Sequence, residues 1–277
     1  MMNRLLLMDG NPAELQQAAV AAGSRSPGMV YEDTLASLFP DLRVDRVNAA
    51  EPGDVLPDGT SLADYDGLVI AGSSLHAYNG TPDITRQIDM ARAFGETGRP
   101  ILGSCWGLQI AALAAGGDVR RSPRGRELIF SRDIRLTDAG GEHVLFADKA
   151  TVFDAPCIHL DEVSVLPEGG VVLASNEHSE VQAASFMLGK SEFSGVQYHP
   201  EFDLRHLADL VRQYDTMMNE ERFGSDVERL AYHEKLEALN AEPRAGDLAE
   251  SLGVDEWILD ERKRGAEIVN WVEQVRT

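Results

Sequence analysis

Cysteine is scarce in this chain: 277 residues contain only Cys105 and Cys157. Two distant thiols with no secretion signal ahead of them make no disulfide framework, so a reducing, cytoplasmic setting is expected. No Cys/His group has the spacing of a zinc site, and neither metal nor cofactor is expected. Long apolar runs are also missing. None reaches the roughly 18 residues that cross a bilayer. The opening stretch M-M-N-R-L-L-L-M-D-G meets Asp9 too soon to be the apolar region of a signal peptide. Positive charge is short as well, with 25 Lys and Arg against 46 Asp and Glu, a formal net charge of -21. Such a surface repels phosphate backbones and anionic lipids, so neither nucleic acid nor a membrane is an expected partner. There is no internal repeat and no low-complexity segment.

What is present is a globular composition, 43% hydrophobic, with an ordered alternation of short strands and helices. Residues 5–8 and 67–71 are short all-apolar runs, which suits central strands covered on both faces. Residues 100–103 form a third buried strand, and residues 41–47 alternate polar and apolar as a strand does. Helices are expected over residues 30–38, 83–94 and 106–115; Pro82 stands at a first-turn position and Gly116-Gly117 close the last of them. The order strand, helix, strand, helix implies an α/β fold: a mostly parallel central sheet with helices on both faces. Strands expected over 126–136, 150–153, 171–175, 182–187 and 195–198 extend that sheet, some of them antiparallel. From residue 203 the pattern is helical. Leu204, Leu207, Leu210, Val211, Tyr214 and Met218 form one apolar stripe, Val227, Leu230 and Ala231 begin another, and Ile268, Val269, Val272 and Val275 mark a last one. Residues 1–202 thus read as one domain, and 203–277 as a helical extension that packs on it or serves self-association.

Two segments carry chemistry. In P-I-L-G-S-C-W-G-L-Q a buried strand ends, Cys105 follows, and a helix begins at once. G-x-C-x-G is the cysteine form of the nucleophile elbow. Gly103 and Gly107 flank the thiol because a side chain there would strike neighbouring backbone. The helix N-terminus behind Cys105 favours the thiolate and supplies N–H groups to an oxyanion. A cysteine nucleophile needs an oriented base. In G-V-Q-Y-H-P-E, His199 stands two residues before Glu201, on the same side of an extended backbone, with Pro200 stiffening the link. Each segment follows a buried strand, and in a parallel sheet such strand ends gather at one edge.

G-S-C-W-G-L-Q and G-V-Q-Y-H-P-E resemble the two signature segments of class I glutamine amidotransferase domains, and the likeness extends from about Leu5 to Phe202. It implies the flavodoxin-like fold of that class, close to free-standing relatives of the amidotransferase part of GMP synthase. It also implies Cys105 as nucleophile, His199 as proton carrier and Glu201 as the acid that orients it. Backbone N–H groups of Trp106 and Ser73 would form the oxyanion hole. Ser73, in A-G-S-S, replaces the family's usual glycine, with Gly72 just before it. Gly72 and Gln109 would contact substrate. A-P-C-I-H-L-D-E-V resembles the family's H-x-D-x-V segment, with His159 read as structural rather than catalytic, Asp161 and Val163 beside it, and Cys157 as core. Gly125–Glu127 resembles another recurring segment, to which sequence gives no chemical role. His76, Tyr78 and Asn79 would line the pocket mouth.

The resemblance implies glutamine or another γ-glutamyl compound as substrate. The principal expectation is a glutaminase that passes ammonia to a synthase partner in trans. These residues hold neither a P-loop nor an S-G-G-x-D-S pyrophosphatase loop. The rivals are a hydrolase or transferase acting on a larger γ-glutamyl compound, and a silent binding module. Self-association through the C-terminal helices is a further open expectation.

Overall fold

The computed structural model describes residues 3–53 and 55–277. Eleven strands are present among them: β1 (Arg4–Met8), β2 (Arg43–Val47), β3 (Gly67–Ile70), β4 (Ile101–Ser104), β5 (Asp118–Arg121), β6 (Glu127–Leu136), β7 (Val152–His159), β8 (Asp161–Val165), β9 (Val171–Ser175), β10 (Ala183–Leu188) and β11 (Ser191–Val196). Nine of them form one sheet in the order β2-β1-β3-β4-β11-β10-β9-β6-β7, while β5 and β8 pair separately. The β2-β1-β3-β4-β11 half is parallel, and β11-β10-β9-β6-β7 is antiparallel. Parallel strands need crossovers, and helices supply them: Ala13–Ala21 and Pro27–Leu38 between β1 and β2, and Pro82–Gly95 between β3 and β4.

The period-two alternation of β1 splits the core into two layers. Leu6 and Met8 face one cluster with Ile70, Phe94, Trp106 and Ile110. Leu5 and Leu7 face another with Tyr31, Leu35, Trp271 and Val272. The helix Ala266–Val275 is therefore part of the sheet's cover. A Cβ on Gly67 would come within 2.7 Å of the Trp271 ring. Beside it, Lys149 and Glu267, both fully buried, pair at 2.7 Å, and the Tyr198 hydroxyl donates to Glu267. A third cluster, including Leu207, Val211, Leu236, Leu239 and Ile258, packs on Ile129 and Phe130 of β6.

The expected alternation is present, with local differences. The last strand of the sheet is Ser191–Val196, and residues 197 and 198 already bend away from it. The strand expected at 150–153 runs instead over Val152–His159, paired along its length with β6. Helix Ala13–Ala21 and the β5-β8 pair were not expected from the pattern; the helix, AELQQAAVA, is short and has no clear apolar stripe. Val227 and Leu230 are exposed at 78% and 46%, so their helix, Asp226–Ala241, turns its other side inward. That side is anchored by Arg229, which donates to the Val211 carbonyl at 3.2 Å.

Candidate active site

β4 ends at Ser104 and the helix Trp106–Ala114 begins at Trp106, which leaves Cys105 alone in the turn at φ 51, ψ -100. A non-glycine residue there stores strain that the surroundings must hold. They do so by close backbone packing. A Cβ on Gly103 would lie 2.6 Å from the Gly107 carbonyl carbon, and one on Gly107 would lie 2.3 Å from the Ile70 oxygen. The Cys105 N–H donates to the Val196 carbonyl at 2.7 Å, tying the elbow to the end of β11.

β11 lies directly beside β4, so the chain leaving it passes the thiol. The His199 N–H donates to the Pro156 carbonyl at 2.8 Å, and the Phe202 N–H returns to the His199 carbonyl at 3.2 Å. This is a turn rather than the extended segment expected from sequence, and it brings Glu201 back under the ring: His199 Nδ1 and Glu201 Oε1 are 2.7 Å apart. His199 and Glu201 are both buried. Burial opposes charge on the imidazole, but the Glu201 carboxylate and the Cys105 sulfur, within hydrogen-bonding reach, outweigh it and hold the ring up to about 10. Two neighbours fix the ring plane. Phe202 stacks on it at 3.8 Å between centroids and 4°, and Gly72 lies close to it, where a Cβ would approach Cε1 to 2.8 Å.

Trp106 is the first residue of its helix, so its N–H has no carbonyl one turn behind it. Ser73 lines the same cavity as Cys105. Its φ is not positive, so the serine is unstrained where relatives often have glycine. Its hydroxyl donates to Asn11 Oδ1 at 2.9 Å and accepts from the Leu75 N–H at 3.1 Å, and the Ser74 N–H donates to the same Asn11 oxygen at 3.0 Å. Asn11 thus sets the loop, a role not legible in the sequence.

The H-x-D-x-V segment forms the next wall. The Ile158 carbonyl accepts from Cys105 Sγ at 3.8 Å, and the Asp161 carbonyl accepts from Gln109 Nε2 at 3.0 Å. His159 is spanned between the Asp161 carbonyl, 3.0 Å from Nδ1, and Glu127, 2.9 Å from Nε2. Burial raises the Glu127 carboxyl, but hydrogen bonds from His159, Asn176 and Gln182 prevail and hold it at about 2. This gives Gly125–Glu127 a role: Glu127 braces His159, which braces the wall. Glu127, Cys157 and His159 are close enough for a metal site, yet their ligand atoms are already engaged with one another and with the backbone. His76 lines the cavity and meets Asp161 Oδ2 at 2.6 Å, with Tyr78 donating to Oδ1 at 3.2 Å. Asn79 is exposed and outside the cavity lining.

These walls enclose a cavity of about 430 Å³ that opens on Cys105 and His199. One end is polar, with Gln109, Asp161 and His76. The lining also includes Leu15 and Ala18 of the helix Ala13–Ala21, His206, Leu210 and Gln213 of the helix Leu204–Gln213, and Arg25, Tyr214 and Met217.

The model of the class I glutamine amidotransferases matches residues 35–213, which include the elbow and the H-P-E turn. The chain belongs to the class I glutamine amidotransferase family. Within it, a γ-glutamyl-L-1-hydroxyisopropylamide hydrolase of a Pseudomonas species is 32% identical over 98% of this chain and 92% of its own length. A γ-glutamyl peptidase of Arabidopsis thaliana is 32% identical over 56% of this chain and 61% of its own. One component of a glutamine-hydrolysing GMP synthase from Methanococcus maripaludis is 29% identical over 58% of this chain and 80% of its own. The fold matches the crystal structure of a glutamine amidotransferase from Thermotoga maritima, with TM-score 0.64, 19% identity, and 99% and 98% of the two chains covered. The likenesses thus include an enzyme named for a substituted γ-glutamyl amide, alongside glutamine-hydrolysing synthase components. Among the described residues no helix is long and apolar enough to cross a membrane.

Proposed function

We propose that this amidotransferase relative hydrolyses γ-glutamyl amides larger than glutamine, using Cys105, His199 and Glu201. The observation that carries this reading is the room in the cavity beside the helices Ala13–Ala21 and Leu204–Gln213. A substrate that releases only ammonia has no use for a chamber lined by Leu15, Ala18, Leu210 and Met217, whereas a substituted amide nitrogen does. The relative that spans nearly the whole chain is named for such an amide. This favours the hydrolase over the ammonia-delivering glutaminase first expected. The intact geometry of the three residues also disfavours a silent module.

In the reaction, Cys105 Sγ attacks the γ-carbonyl carbon and the carbonyl electron pair moves to oxygen. The Ser73 and Trp106 N–H groups receive that oxyanion. As the carbonyl re-forms, the C–N bond breaks and His199 gives its proton to the departing amine. The thioester no longer carries the sulfur charge that helped hold the imidazole protonated, so His199 is free to act as base. It takes a proton from water as the oxygen attacks the thioester carbon. The C–S bond then breaks, releasing glutamate and restoring Cys105. Glu201 keeps Nδ1 as the donor nitrogen and orients Nε2 throughout.

The test has two parts. A glutamine-mimicking electrophile should label the purified protein at Cys105, located by mass spectrometry, and Cys105→Ala should lower amide hydrolysis by about 10³-fold or more. Release of amine from substituted γ-glutamyl amides should exceed ammonia release from glutamine in kcat/KM. Labelling at another residue, or a preference for glutamine, would overturn the reading.

A further inference from the structure

Arginine is concentrated at one place in this acidic chain. Residues 120–126 hold Arg120, Arg121, Arg124 and Arg126, in a sequence where 25 Lys and Arg stand against 46 Asp and Glu. Arg120 pairs with Glu162 at 2.8 Å, Arg124 donates to the His178 carbonyl at 3.3 Å, and Arg121 is exposed. Of the four, Arg126 lines the cavity. Its side chain is 21% exposed, so a ligand in the cavity can reach it, and among the described residues its hydrogen bond runs from Nε to Glu221 at 3.2 Å. A guanidinium has more donors than that bond uses, and its two Nη groups remain for a ligand. Arg25, the other arginine of the lining, is matched already: Asp203 accepts from Nη2 at 2.7 and 3.0 Å, and Asp33 from Nη1 at 3.2 Å. Arg126 is the one with an open fork.

The register of the sheet says which part of a substrate it meets. Glu127 pairs with His159 across the antiparallel β6-β7 ladder, so Arg126 falls at the level of Leu160, which also lines the cavity. Cys105 Sγ lies 3.8 Å from the carbonyl of Ile158, two residues before Leu160. Two residues of extended chain span about 7 Å, and a glutamyl group spans about 5 Å from its γ-carbonyl carbon to its α-carboxylate carbon. A γ-carbonyl at the thiol, with its glutamyl chain along this wall, therefore brings the α-carboxylate to Arg126. The amine half points away from the wall, because His199 must reach the nitrogen that it protonates. A carboxylate matches the guanidinium fork with two parallel N–H bonds, and in a molecule this acidic it needs such a partner.

Resting on the γ-glutamyl reading, we propose that Arg126 binds the α-carboxylate of the substrate and selects glutamyl groups over acyl groups that lack it. γ-Glutamyl ethylamide and 4-aminobutanoyl ethylamide differ only in that carboxylate. The wild type should favour the first in kcat/KM by about tenfold or more, the effect of a hydrogen bond to a charged group. Arg126→Gln should bring the ratio to within about threefold, chiefly by raising KM for the γ-glutamyl compound. Arg126→Lys keeps the charge and loses the fork, and its ratio should fall between. Glu221→Gln separates binding from anchoring: it breaks the same Arg126–Glu221 contact, yet should keep the wild-type ratio. The rate of Cys105 labelling by a glutamine-mimicking chloroketone, against its decarboxylated counterpart, should give the same ratios without turnover. A ratio near one in the wild type, or one that Arg126→Gln leaves in place, would overturn the assignment while the hydrolase reading stands. A loss shared equally by Arg126→Gln and Glu221→Gln would also overturn it, reducing Arg126 to an anchor for the segment Asn219–Phe223. Labelling that depends on Arg126 in a protein that cleaves no ethylamide would uphold the assignment and overturn the hydrolase reading alone.

Discussion

At the scale of single residues, the imidazole of His199 is acted on by burial and by two partners. Its charged form is opposed by burial and held by Glu201 and Cys105, giving a value of about 10 against 6.5 for a free ring. A raised histidine stabilises the fold fully below about pH 6.5, and that contribution fades as pH rises through about 10. Glu201→Gln removes the largest support of the charge. The melting-temperature gap between wild type and this variant should therefore be widest at neutral and mildly acidic pH and close toward pH 10. The alkaline limb of kcat/KM, set by loss of the His199 proton, should move toward neutrality. A gap that widens between pH 6.5 and 10 would contradict the arrangement. Gly107 offers a second residue-scale test. Its missing side chain leaves room for the Ile70 carbonyl, and Gly107→Ala should cost about 1–3 kcal/mol in denaturant unfolding and weaken Cys105 labelling, since the clash pushes on the elbow. The elbow was legible in the sequence because this steric demand writes glycine on either side of Cys105.

Among elements, what could be read ahead of the structure followed from local rules. The buried strands β1, β3 and β4 are apolar on both faces, and the helices beside them carry clear start and stop signals, so their order gave the parallel half of the sheet. The β5-β8 pair escaped notice because β5 is DVRR, a run with one buried residue among charged ones. The turn at His199 escaped for another reason. Tyr198-His199-Pro200 suits an extended chain, whereas the strand stops at Val196 and the His199 N–H donates to the distant Pro156 carbonyl. The contact between Arg25 and Asp203 was least visible of all. Arg25 and Asp203 are separated by 178 residues, and neither stands in a recognisable motif. Their meeting depends on helix Leu204–Gln213 docking against the loop before Pro27–Leu38, which is a property of the packed molecule and leaves no periodic trace.

The whole molecule is unified by its C-terminal helix. Ala266–Val275 closes one face of the sheet, and its Glu267 lies in a buried group with Lys149 and Tyr198, whose neighbour in the chain is His199. Removing one partner of a buried ion pair strands the other. Lys149→Met should destabilise the protein by about 3–5 kcal/mol, and adding Glu267→Gln should restore part of the loss, measured by urea unfolding of the single and double variants. The same contacts couple the helix Ala266–Val275 to the turn at His199, so the Lys149 variant should also lower the rate of Cys105 labelling.

The position of β11 sets an order of events in biosynthesis. It is the last strand of the sheet to be made, yet it lies between β4 and β10 and alone joins the parallel half to the antiparallel half. A chain made only as far as β10 lacks both the strand that joins the two halves and the imidazole that follows it. The placing of β11 thus completes the centre of the sheet and brings His199 to Cys105 together.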